Sequence, residues 1–494
     1  MRSIKLIILF LGICISVAST AQVPPVRHSK IGDMAQSADG SISLKVVGQK
    51  LNFGGVKPEL CDTDVWSPKS VHFHPNGKKY YINSLEGCRT MVYDAKTNKK
   101  LAVIHHKFNA ENEHLWAKES GFFPFTHYSK NLKKFWGRPV ESTFSHRGRY
   151  LWIPYYRRSF DLNAQDPSAI SVIDTRTDSI VKVFETGPLP KMVATTSNGK
   201  YLAVTHWGDN TVGILDISSA NPDDWHYVKC VVVDYQLKLN LSMTTKVDRD
   251  VNSGYLLRGT VFTPDDHYML IACMGGAGGI AVVDMQKMEY VGRLLGVSNA
   301  RHLVVKNNYL YASLNAAGIV QRLPLSKVEA AIKAMQGKTS MLSGWETCQV
   351  GGGARTISLS PSGNFAFAAC NSASHLAVVD TRTMKLVATL TIDSYPVGLD
   401  ISADGRYVVL TSQGRQGNGG NAVNLVEVTY KEKEPTNALI DEQAEEEAEK
   451  QAKAQETEEQ ESAKPNWWII GFLSGFVFAV VVLFFVRRRS NKNK

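Results

Sequence analysis

The stretch Thr196-Ser-Asn-Gly-Lys-Tyr-Leu-Ala-Val-Thr-His-Trp-Gly-Asp-Asn-Thr-Val-Gly-Ile-Leu-Asp216 decides the fold, because its pattern of turns and strands returns along the chain. Ser197-Asn-Gly199 is a tight-turn signal, since Asn and Gly tolerate the positive φ that short hairpins need. Two β-prone apolar runs follow, Tyr201 to Thr205 and Thr211 to Leu215, with a break at Gly208-Asp-Asn210 between them. The stretch therefore predicts strand, turn, strand, loop and strand.

Six further segments carry the same signal, a polar turn shortly before an aromatic residue that begins a strand. These turns are Pro75-Asn-Gly77 before Tyr80, His146-Arg-Gly148 before Tyr150, Pro264-Asp-Asp266 before Tyr268, Asn307-Asn308 before Tyr309, Pro361-Ser-Gly363 before Phe365 and Ala403-Asp-Gly405 before Tyr407. Units of four strands that return every 40 to 70 residues, roughly, indicate the blades of a propeller, a ring without exposed sheet edges. We therefore predict an all-β, seven-bladed β-propeller over residues 41–430.

The repeats also resemble a known family. The segments Lys200-Tyr-Leu-Ala-Val-Thr205, Asn210-Thr-Val212 and Ile214-Leu-Asp216, with Asp380-Thr-Arg-Thr383 leading to Leu386-Val-Ala388, resemble the YVTN-type β-propeller repeat of YncE-like periplasmic proteins. The resemblance covers about residues 40 to 430. It implies the fold and leaves the chemistry open, because propellers host binding proteins, scaffolds and enzymes alike.

The two ends of the repeat region are predicted to lock together. The seventh unit supplies strands at 397–401, 407–411 and 423–428 but no fourth strand. The segment near 41–52 is strand-like, and a ring needs some such closure to remove its last sheet edge. We expect this segment to form the outer strand of the seventh blade.

The N-terminus has the features of a secretory signal peptide over residues 1–21. Two basic residues precede the apolar run Leu6 to Val17, and small residues follow at Ser19-Thr-Ala21. The alternative is an uncleaved membrane anchor. Residues 22–40 form a polar lead-in to the propeller.

The C-terminus has the features of a membrane anchor. Residues 431–464 read as a solvated acidic stalk of Glu, Ala, Gln and Lys, and residues 467–486 are twenty uncharged, mostly apolar residues, enough for a transmembrane helix. The basic tail 487–494 then predicts the cytoplasmic side. Gly471 and Gly475 have the spacing of a helix-dimer contact, so a weak dimer is the alternative to a simple anchor.

With a signal peptide in front, this order predicts a single-pass protein of the inner (cytoplasmic) membrane, with the propeller on the periplasmic or extracytoplasmic side. Exchange of the tail for another anchor is the alternative.

The charge of the chain lies mainly in the propeller. The formal net charge is +10, with +2 in the leader, −7 in the stalk and +5 in the tail, which leaves +10 for the propeller region. Such a surface favours anionic partners, namely phosphorylated or carboxylated glycans, acidic proteins or anionic lipid head groups. Nucleic acid is not expected as a partner at the predicted location.

The long insertions are predicted to lie on one face of the ring, where second-to-third-strand loops and blade connections emerge. They span residues 107–138, 156–168, 236–257 and 413–421. Because function concentrates in such loops, we place the site on this face.

The first of these insertions, 107–138, is rich in aromatic residues and His. It either packs a small core of its own or caps the ring and offers aromatic faces to a ligand. Tyr155, Tyr156 and Arg158 adjoin it and are candidate ligand-binding residues.

A basic position recurs at the start of the innermost strands. Alignment of the units on their turns gives Lys69, Val140, Lys191, Arg258, Arg301, Arg355 and Val397. Innermost strands line the central channel, so we predict a positive collar at its mouth that binds an anion. The alternative is that each cation pairs with a local acid or carbonyl group. Arg138 and His302 are the predicted neighbours of the collar.

Catalytic residues cannot be assigned from motifs, although His206, beside Trp207, is a chemically able candidate for the ligand site. The chain has no haem-attachment motif, nucleophile elbow or phosphate-binding glycine loop, and we assign neither a cofactor nor a metal.

We predict a membrane-tethered exported propeller that binds a protein partner of the envelope or an anionic glycan or small ligand. The alternatives are a lactonase- or lyase-like enzyme acting through His206, His302, Glu141 or the collar arginines, and a scaffold subunit of an envelope complex.

The sequence also predicts a disulfide and a helix. Cys61 and Cys88 are predicted on the same face and are a disulfide candidate, while the remaining cysteines of the mature chain are expected to be buried thiols. Residues 325–335 have helical periodicity with Ser326 as candidate N-cap, and are predicted to pack on the outside of the fifth blade.

Overall fold

The computed structural model describes residues 26–242, 244–245, 249, 252–415, 417–436 and 453. The predicted signal peptide 1–21, membrane segment 467–486 and tail 487–494 lie outside these residues, as does most of the stalk 431–464. The chain divides into two compact units, residues 1–437 and 438–494. In the described part, no helix combines the length and apolar character that a membrane span needs.

Seven sheets of four or five strands form a ring, as predicted. Their strands pair antiparallel, except that Thr339–Met341 pairs parallel with Glu289–Leu295 at the outer edge of blade 4. Innermost strands of successive blades contact each other around the central channel.

From the channel outward, blade 1 has strands Pro68–Phe73, Lys79–Ser84, Arg89–Asp94 and Lys100–His105, and blade 2 has Thr143–Ser145, Tyr150–Pro154, Ser168–Asp174 and Ser179–Thr186. Blade 3 has Pro190–Thr195, Tyr201–His206, Thr211–Asp216 and His226–Val232, and blade 4 has Leu257–Phe262, Tyr268–Cys273, Ile280–Asp284, Glu289–Leu295 and Thr339–Met341. Blade 5 has Ala300–Lys306, Tyr309–Leu314, Ile319–Pro324 and Glu346–Gln349, and blade 6 has Ala354–Leu359, Phe365–Cys370, His375–Asp380 and Lys385–Thr391. Blade 7 has Pro396–Ile401, Tyr407–Ser412, Ala422–Tyr430, Ile42–Leu51 and Met34–Gln36.

The stretch that predicted the fold forms the middle of blade 3. Its two inner runs pair antiparallel, from Tyr201 opposite Asp216 to His206 opposite Thr211. Gly199 in the preceding turn has a φ of 70°, in the left-handed region that L side chains rarely adopt. The local turn chemistry thus sets the hairpin that the blades repeat.

The N-terminal segment closes the ring, as predicted. Ile42–Leu51 pairs antiparallel with Ala422–Tyr430 along its length and forms the fourth strand of blade 7. The lead-in is fastened to the same blade, since Ser29 Oγ donates a hydrogen bond to Asp393 Oδ2 at 2.8 Å. Two distant ends of the chain therefore complete one sheet.

The hydrophobic core is divided into seven clusters, one between each pair of neighbouring blades. Between blades 6 and 7, for example, Phe367, Leu410 and Leu44 are fully buried. Each blade is covered on both faces by its neighbours, which explains why the strands are almost continuously apolar.

The α-helix Leu325–Lys333 lies between the third and fourth strands of blade 5. Val328 and Ile332 pack into the cluster between blades 4 and 5, which confirms the predicted apolar face. The predicted cap is wrong, because Pro324 is the N-cap and Ser326 lies within the helix. Pro is accepted there because helical backbone begins only after it.

Short elements complete the described part of the chain. They are the 3₁₀ helices Pro58–Leu60, Ala110–Leu115, His146–Gly148 and Pro222–Asp224, and the paired strands Lys107–Phe108 and Phe135–Trp136 within the insertion 107–138.

Candidate functional site

The collar position coincides with an irregularity of the innermost strands. In six blades the register with the second strand shifts there, so that the aligned residue is skipped in the pairing. In blade 1, for example, Pro68 pairs with Ser84 and Ser70 with Asn83, leaving Lys69 between them. Such bulges turn a side chain away from the regular pleat. The sequence alignment had therefore found a shared backbone feature as well as a shared charge.

The backbone of the collar is held by the preceding blade. Thr411 Oγ1 of blade 7 donates to the carbonyl oxygen of Lys69 at 3.1 Å, and Thr356 Oγ1 of blade 6 donates to that of Val397 at 2.8 Å. Equivalent bonds reach the carbonyl oxygens of Glu141, from Asn83, and Arg355, from Ser313. These bonds fix where the collar side chains begin.

Close approach of the blades at this level also requires glycine. A Cβ on Gly398 would lie 2.6 Å from the carbonyl oxygen of Lys69, and one on Gly259 would lie 2.8 Å from Cα of His302. Both contacts are with backbone atoms that cannot turn aside. Glycine at these two positions therefore lets neighbouring blades approach at the collar.

The structure brings the five predicted cations together. Burial, followed by repulsion from the other collar cations, lowers the pKa of Lys69, Lys191 and Arg301 well below their ordinary values. The same two causes lower the pKa of Arg355 to about 9. The positive charges of blades 1, 3, 4, 5 and 6 thus act on one another at the channel mouth.

One carboxylate, that of Glu141, forms an ion pair with a collar cation. Arg258 Nη2 donates to Glu141 Oε1 at 2.8 Å, and both side chains are largely buried. Blade 3 lies between blades 2 and 4 in the ring, so the ion pair joins two blades that are not neighbours. The alternative that the cations pair with acids therefore holds for Arg258.

Three collar cations have no carboxylate within 4.0 Å in the described part of the chain, namely Lys69, Arg301 and Arg355. Lys69 Nζ donates to Gln413 Oε1 at 3.1 Å, and Arg301 Nη1 lies 3.4 Å from the sulfur of Met274. Arg355 Nε is buried without a hydrogen-bond partner among the described atoms.

An apolar wall stands beside the collar. Lys191 Nζ lies 3.9 Å from the ring centre of Tyr156 and 5.1 Å from that of Trp207. Tyr156 and Met274 pack against a small cluster that contains Trp207, Leu189 and Ala164. We call Tyr156, Trp207 and Met274 the apolar wall. Two residues predicted from sequence, Tyr156 and Trp207, are thus placed against the collar.

His302 lies next to the ion pair. Burial lowers the pKa of His302 to about 4, and Glu141 and Arg258 are ionisable groups near it. The backbone N–H of Ile357 donates to its Nδ1 at 3.4 Å. His302 is therefore a neutral imidazole at pH 7.

Arg158 and Tyr155 are placed in a core and away from the collar. The Arg158 guanidinium lies 5.0, 4.7 and 4.9 Å from the ring centres of Trp116, Phe125 and Phe135, and it donates to the carbonyl oxygen of Ser168 at 3.0 Å. Tyr155 is fully buried, with its hydroxyl 2.9 Å from Nδ1 of His106.

The insertion 107–138 explains this arrangement, because its aromatic side chains fold onto the outer part of blade 2. The backbone N–H of Ala117 donates there to the carbonyl oxygen of Val183 at 2.8 Å. These residues of the insertion therefore form a small core of their own, which is the first of the two interpretations of the sequence. The buried Arg158 lies at the centre of this core.

His206 and Arg138 have local roles. His206 is fully buried, its Nε2 accepts from the N–H of Gly187 at 3.0 Å, and its Nδ1 lies 2.8 Å from Thr211 Oγ1. Burial lowers the pKa of His206 to about 3. Arg138 Nη2 lies 3.4 Å from Glu86 Oε2 on a partly exposed surface. We leave both residues out of the site.

The predicted disulfide between Cys61 and Cys88 does not form in the structure, where all six cysteines of the described part are free. Cys61 is exposed, and its backbone forms an isolated parallel β-bridge with Leu51 in the outer region of blade 7. Cys88 is buried in the second-to-third-strand loop of blade 1, where its carbonyl oxygen accepts from the N–H of His106. Although both cysteines were predicted on the same face, their sulfur atoms are not bonded to each other.

A second cluster, absent from the sequence-based predictions, joins three insertions. His127 Nδ1 lies 2.7 Å from Asp166 Oδ2, and His127 Nε2 lies 2.7 Å from the carbonyl oxygen of Leu241. Burial alone would lower the pKa of His127, but these two hydrogen bonds and the carboxylates outweigh it and raise that pKa. Because both neighbours are acceptors, they favour the doubly protonated ring. No local signal could have shown this, since the partners are 39 and 114 residues away.

Comparison with known proteins supports the fold. No family model matches the chain. Antigen Lp49 of Leptospira interrogans serogroup Icterohaemorrhagiae serovar copenhageni is 24% identical over 212 residues, which cover 38% of this chain and 41% of that protein. The chain thus matches less than half the length of this curated relative.

Two solved structures share the architecture. A chain of Kuenenia stuttgartiensis Hydrazine Synthase has a TM-score of 0.50 at 13% identity and covers 77% of this chain and 99% of its own. The β-propeller domain of Myceliophteria thermophila Cps50 (Swd1) has a TM-score of 0.50 at 12% identity and covers 74% and 97%. Likenesses at this identity show the propeller fold alone, and the YVTN-type family stays a prediction.

Proposed function

We propose that this protein is a binding protein whose propeller holds an anionic ligand at the channel mouth, on the face that carries the long insertions. The observation that carries the proposal is the convergence of five collar cations, three of which have no carboxylate within 4.0 Å in the described part of the chain. A ring of one sign inside low-dielectric walls concentrates counter-charged ligands.

Retention of this charge has a cost for the fold. Like charges held together repel each other and lower the stability of the ligand-free protein. Burial is the larger cause of the lowered pKa values of Lys69 and Arg301, and repulsion from the other cations adds to it. Apolar side chains at the same position, such as Val140 and Val397, are compatible with the ring. A feature that opposes stability where alternatives fit is typical of a functional site.

The proposed setting is the extracytoplasmic side of a membrane. The sequence features at residues 1–21 and 467–494 support export and a single C-terminal anchor. Ligands available there include acidic glycans, small anions and acidic segments of envelope proteins.

The test measures anion binding by full-length protein in detergent, using calorimetry with citrate, inorganic phosphate and a heparin oligosaccharide as probes. The test variant carries Lys69→Gln, Arg301→Gln and Arg355→Gln, which spares the Arg258–Glu141 pair. The control variant carries Lys96→Gln, Lys287→Gln and Lys385→Gln and changes the net charge equally. These exposed residues lie in third-to-fourth-strand turns, or in the case of Lys385 at the first position of the fourth strand.

We expect at least one probe to bind the natural protein and the control alike, and to bind the collar variant about tenfold or more weakly, a loss of about 1.4 kcal/mol or more. The collar variant should also unfold at a higher temperature without ligand, because repulsion is removed. Equal binding by both variants would show that general surface charge, and not the collar, holds the anion.

Docking of an envelope protein on the same face is a second candidate. It is favoured by large apolar side chains exposed on two insertions, namely Phe122, Trp136 and Leu162, which are 41%, 50% and 77% exposed. Replacement of Trp136 and Leu162 by Ser should then abolish recovery of a specific partner from gently solubilised membranes while leaving anion binding intact. Recovery of the same proteins by both forms would exclude this surface.

A further inference from the structure

The two sides of the collar differ in chemistry, and this difference indicates more about the ligand than its negative charge. Followed around the ring, blades 5, 6, 7 and 1 contribute Arg301, Arg355, Val397 and Lys69. This arc contains the three cations that have no carboxylate within 4.0 Å in the described part of the chain. We call Lys69, Arg301 and Arg355 the anion arc.

The opposite side of the ring is different in chemistry. Blades 2, 3 and 4 contribute the Glu141–Arg258 ion pair and Lys191, whose ammonium faces the rings of Tyr156 and Trp207. The apolar wall reaches the anion arc, because its Met274 sulfur lies 3.4 Å from Arg301 Nη1. A ligand can therefore touch both regions at once.

We propose that the ligand is a phosphate monoester carried on a ring, such as a sugar phosphate or a nucleoside monophosphate, with its phosphate on the anion arc and its ring against the apolar wall. This inference rests on the proposed function and names the chemical class of its ligand.

The charge and oxygen count of a phosphate monoester suit the anion arc. A phosphate monoester carries nearly two negative charges at pH 7 and three free oxygens, whereas a carboxylate carries one charge and two oxygens. Two arginines offer forked donors and the lysine offers a third cationic group.

The wall suits the ring of such a ligand. Tyr156 and Met274 are the partly exposed members of the wall, whereas Trp207 is buried and packs against them. Such a partly exposed apolar face can contact a nucleobase or the apolar face of a sugar, and burial of the ligand ring adds affinity in proportion to the area removed from water. Glu141 Oε1 already accepts from Arg258, and its carboxylate retains further acceptor positions for ligand hydroxyl groups.

The experiment compares ligands on the full-length protein in detergent at low salt by calorimetry. The probes are glucose 6-phosphate and adenosine 5′-monophosphate, with inorganic phosphate, citrate, glucuronate, glucose and adenosine as comparisons. Two variants separate the regions, Arg301→Gln in the anion arc and Tyr156→Leu in the wall, and Lys287→Gln is the exposed control.

A ring phosphate should bind about tenfold or more tightly than inorganic phosphate, glucuronate or the uncharged rings. Arg301→Gln should weaken every phosphate probe about tenfold, while Tyr156→Leu should weaken ring phosphates and leave inorganic phosphate unchanged. Lys287→Gln should change none of these affinities.

Three results would overturn the inference. Binding of citrate or glucuronate in preference to phosphates would leave an anion-binding collar and exclude the phosphate class. Equal affinity for inorganic phosphate and ring phosphates would remove the role of the wall. Absence of binding by every anion, including the heparin oligosaccharide, would refute the proposed function as well.

Discussion

Arg258 of blade 4 donates a hydrogen bond to Glu141 of blade 2 at 2.8 Å. The two residues are 117 positions apart in the chain, and their side chains are 8% and 13% exposed. The ion pair joins two blades that are not neighbours, and its Glu141 carboxylate is the negative charge that acts on the collar cations. Its removal should therefore affect stability and anion binding in opposite directions.

Glu141→Gln should destabilise the propeller by about 3 kcal/mol, because it leaves the buried Arg258 without its carboxylate among other positive charges. It should also strengthen binding of an anion, because the collar gains one unit of net positive charge. Chemical unfolding and calorimetry with inorganic phosphate measure the two effects.

The matched variant is the double change Glu141→Gln and Arg258→Gln. Since it removes both charges, it should be more stable than Glu141→Gln alone. Equal stability of the single and double variants would mean that the ion pair contributes nothing beyond the packing of its side chains.

The junction of the three insertions should loosen as pH rises. The pKa of His127 is raised in the folded protein by Leu241 and Asp166, with Asp161 as a further carboxylate nearby. Its contribution to stability is therefore fully present below about pH 6.5, the ordinary pKa, and is lost as pH rises through the higher pKa of the folded state.

Limited proteolysis between pH 6 and pH 9 should accordingly show faster cleavage of the insertions at the alkaline end. His127→Gln should be cleaved quickly at every pH, whereas His114→Gln, at an exposed position of the same insertion, should behave as the natural protein. A natural protein whose cleavage rate is independent of pH would rule out His127 as the anchor.

Arg158 should be needed for order in the insertion 107–138. Arg158→Ala removes a guanidinium from among Trp116, Phe125 and Phe135, together with its hydrogen bond to Ser168. It should lower the free energy of local opening of this insertion by about 2 to 4 kcal/mol. Proteolysis should then begin within 107–138 while unfolding of the blades changes little.

The exposed Arg147→Ala serves as the control for Arg158→Ala and should leave both measurements unchanged. Loss of anion binding in Arg158→Ala with an intact insertion would instead place Arg158 in the ligand site, as the sequence had suggested.

Closure of the ring should depend on the N-terminal strand. Leu44 is fully buried between blades 6 and 7, so Leu44→Ala should lower the free energy of unfolding by about 2 to 5 kcal/mol. Leu101→Ala, in the outer strand of blade 1 where the side chain is 51% exposed, should cost less than about 0.5 kcal/mol. Similar values for the two variants in urea unfolding would show that the closing strand adds little to stability.

The blades themselves could be predicted because their signals are local. Turns such as Ser197-Asn-Gly199 and the apolar runs beside them act over a few residues, and seven copies reinforce one interpretation. Ring closure could also be predicted, since a seventh unit with three strands requires a fourth from elsewhere in the chain.

For the collar, alignment of the repeats predicted the shared position of the cations but not their pairing. The shared position was visible because each innermost strand begins in the same way, and the shift of register at Lys69, Lys191 and Arg301 gives that similarity a backbone cause. Which cation would be neutralised was not visible, because the choice depends on the reach of side chains across the channel.

The sequence by itself determined the seven blades, the closing strand and the positions that carry positive charge, since these follow from turn chemistry and strand pattern at short range. Only the tertiary structure decided that Glu141 pairs with Arg258, that Arg158 and His206 are buried among other side chains, and that His127 joins three insertions. The physical reason is that these contacts join residues far apart in the chain, whose distances are set by the packing of whole blades and insertions. No short stretch of sequence contains that information.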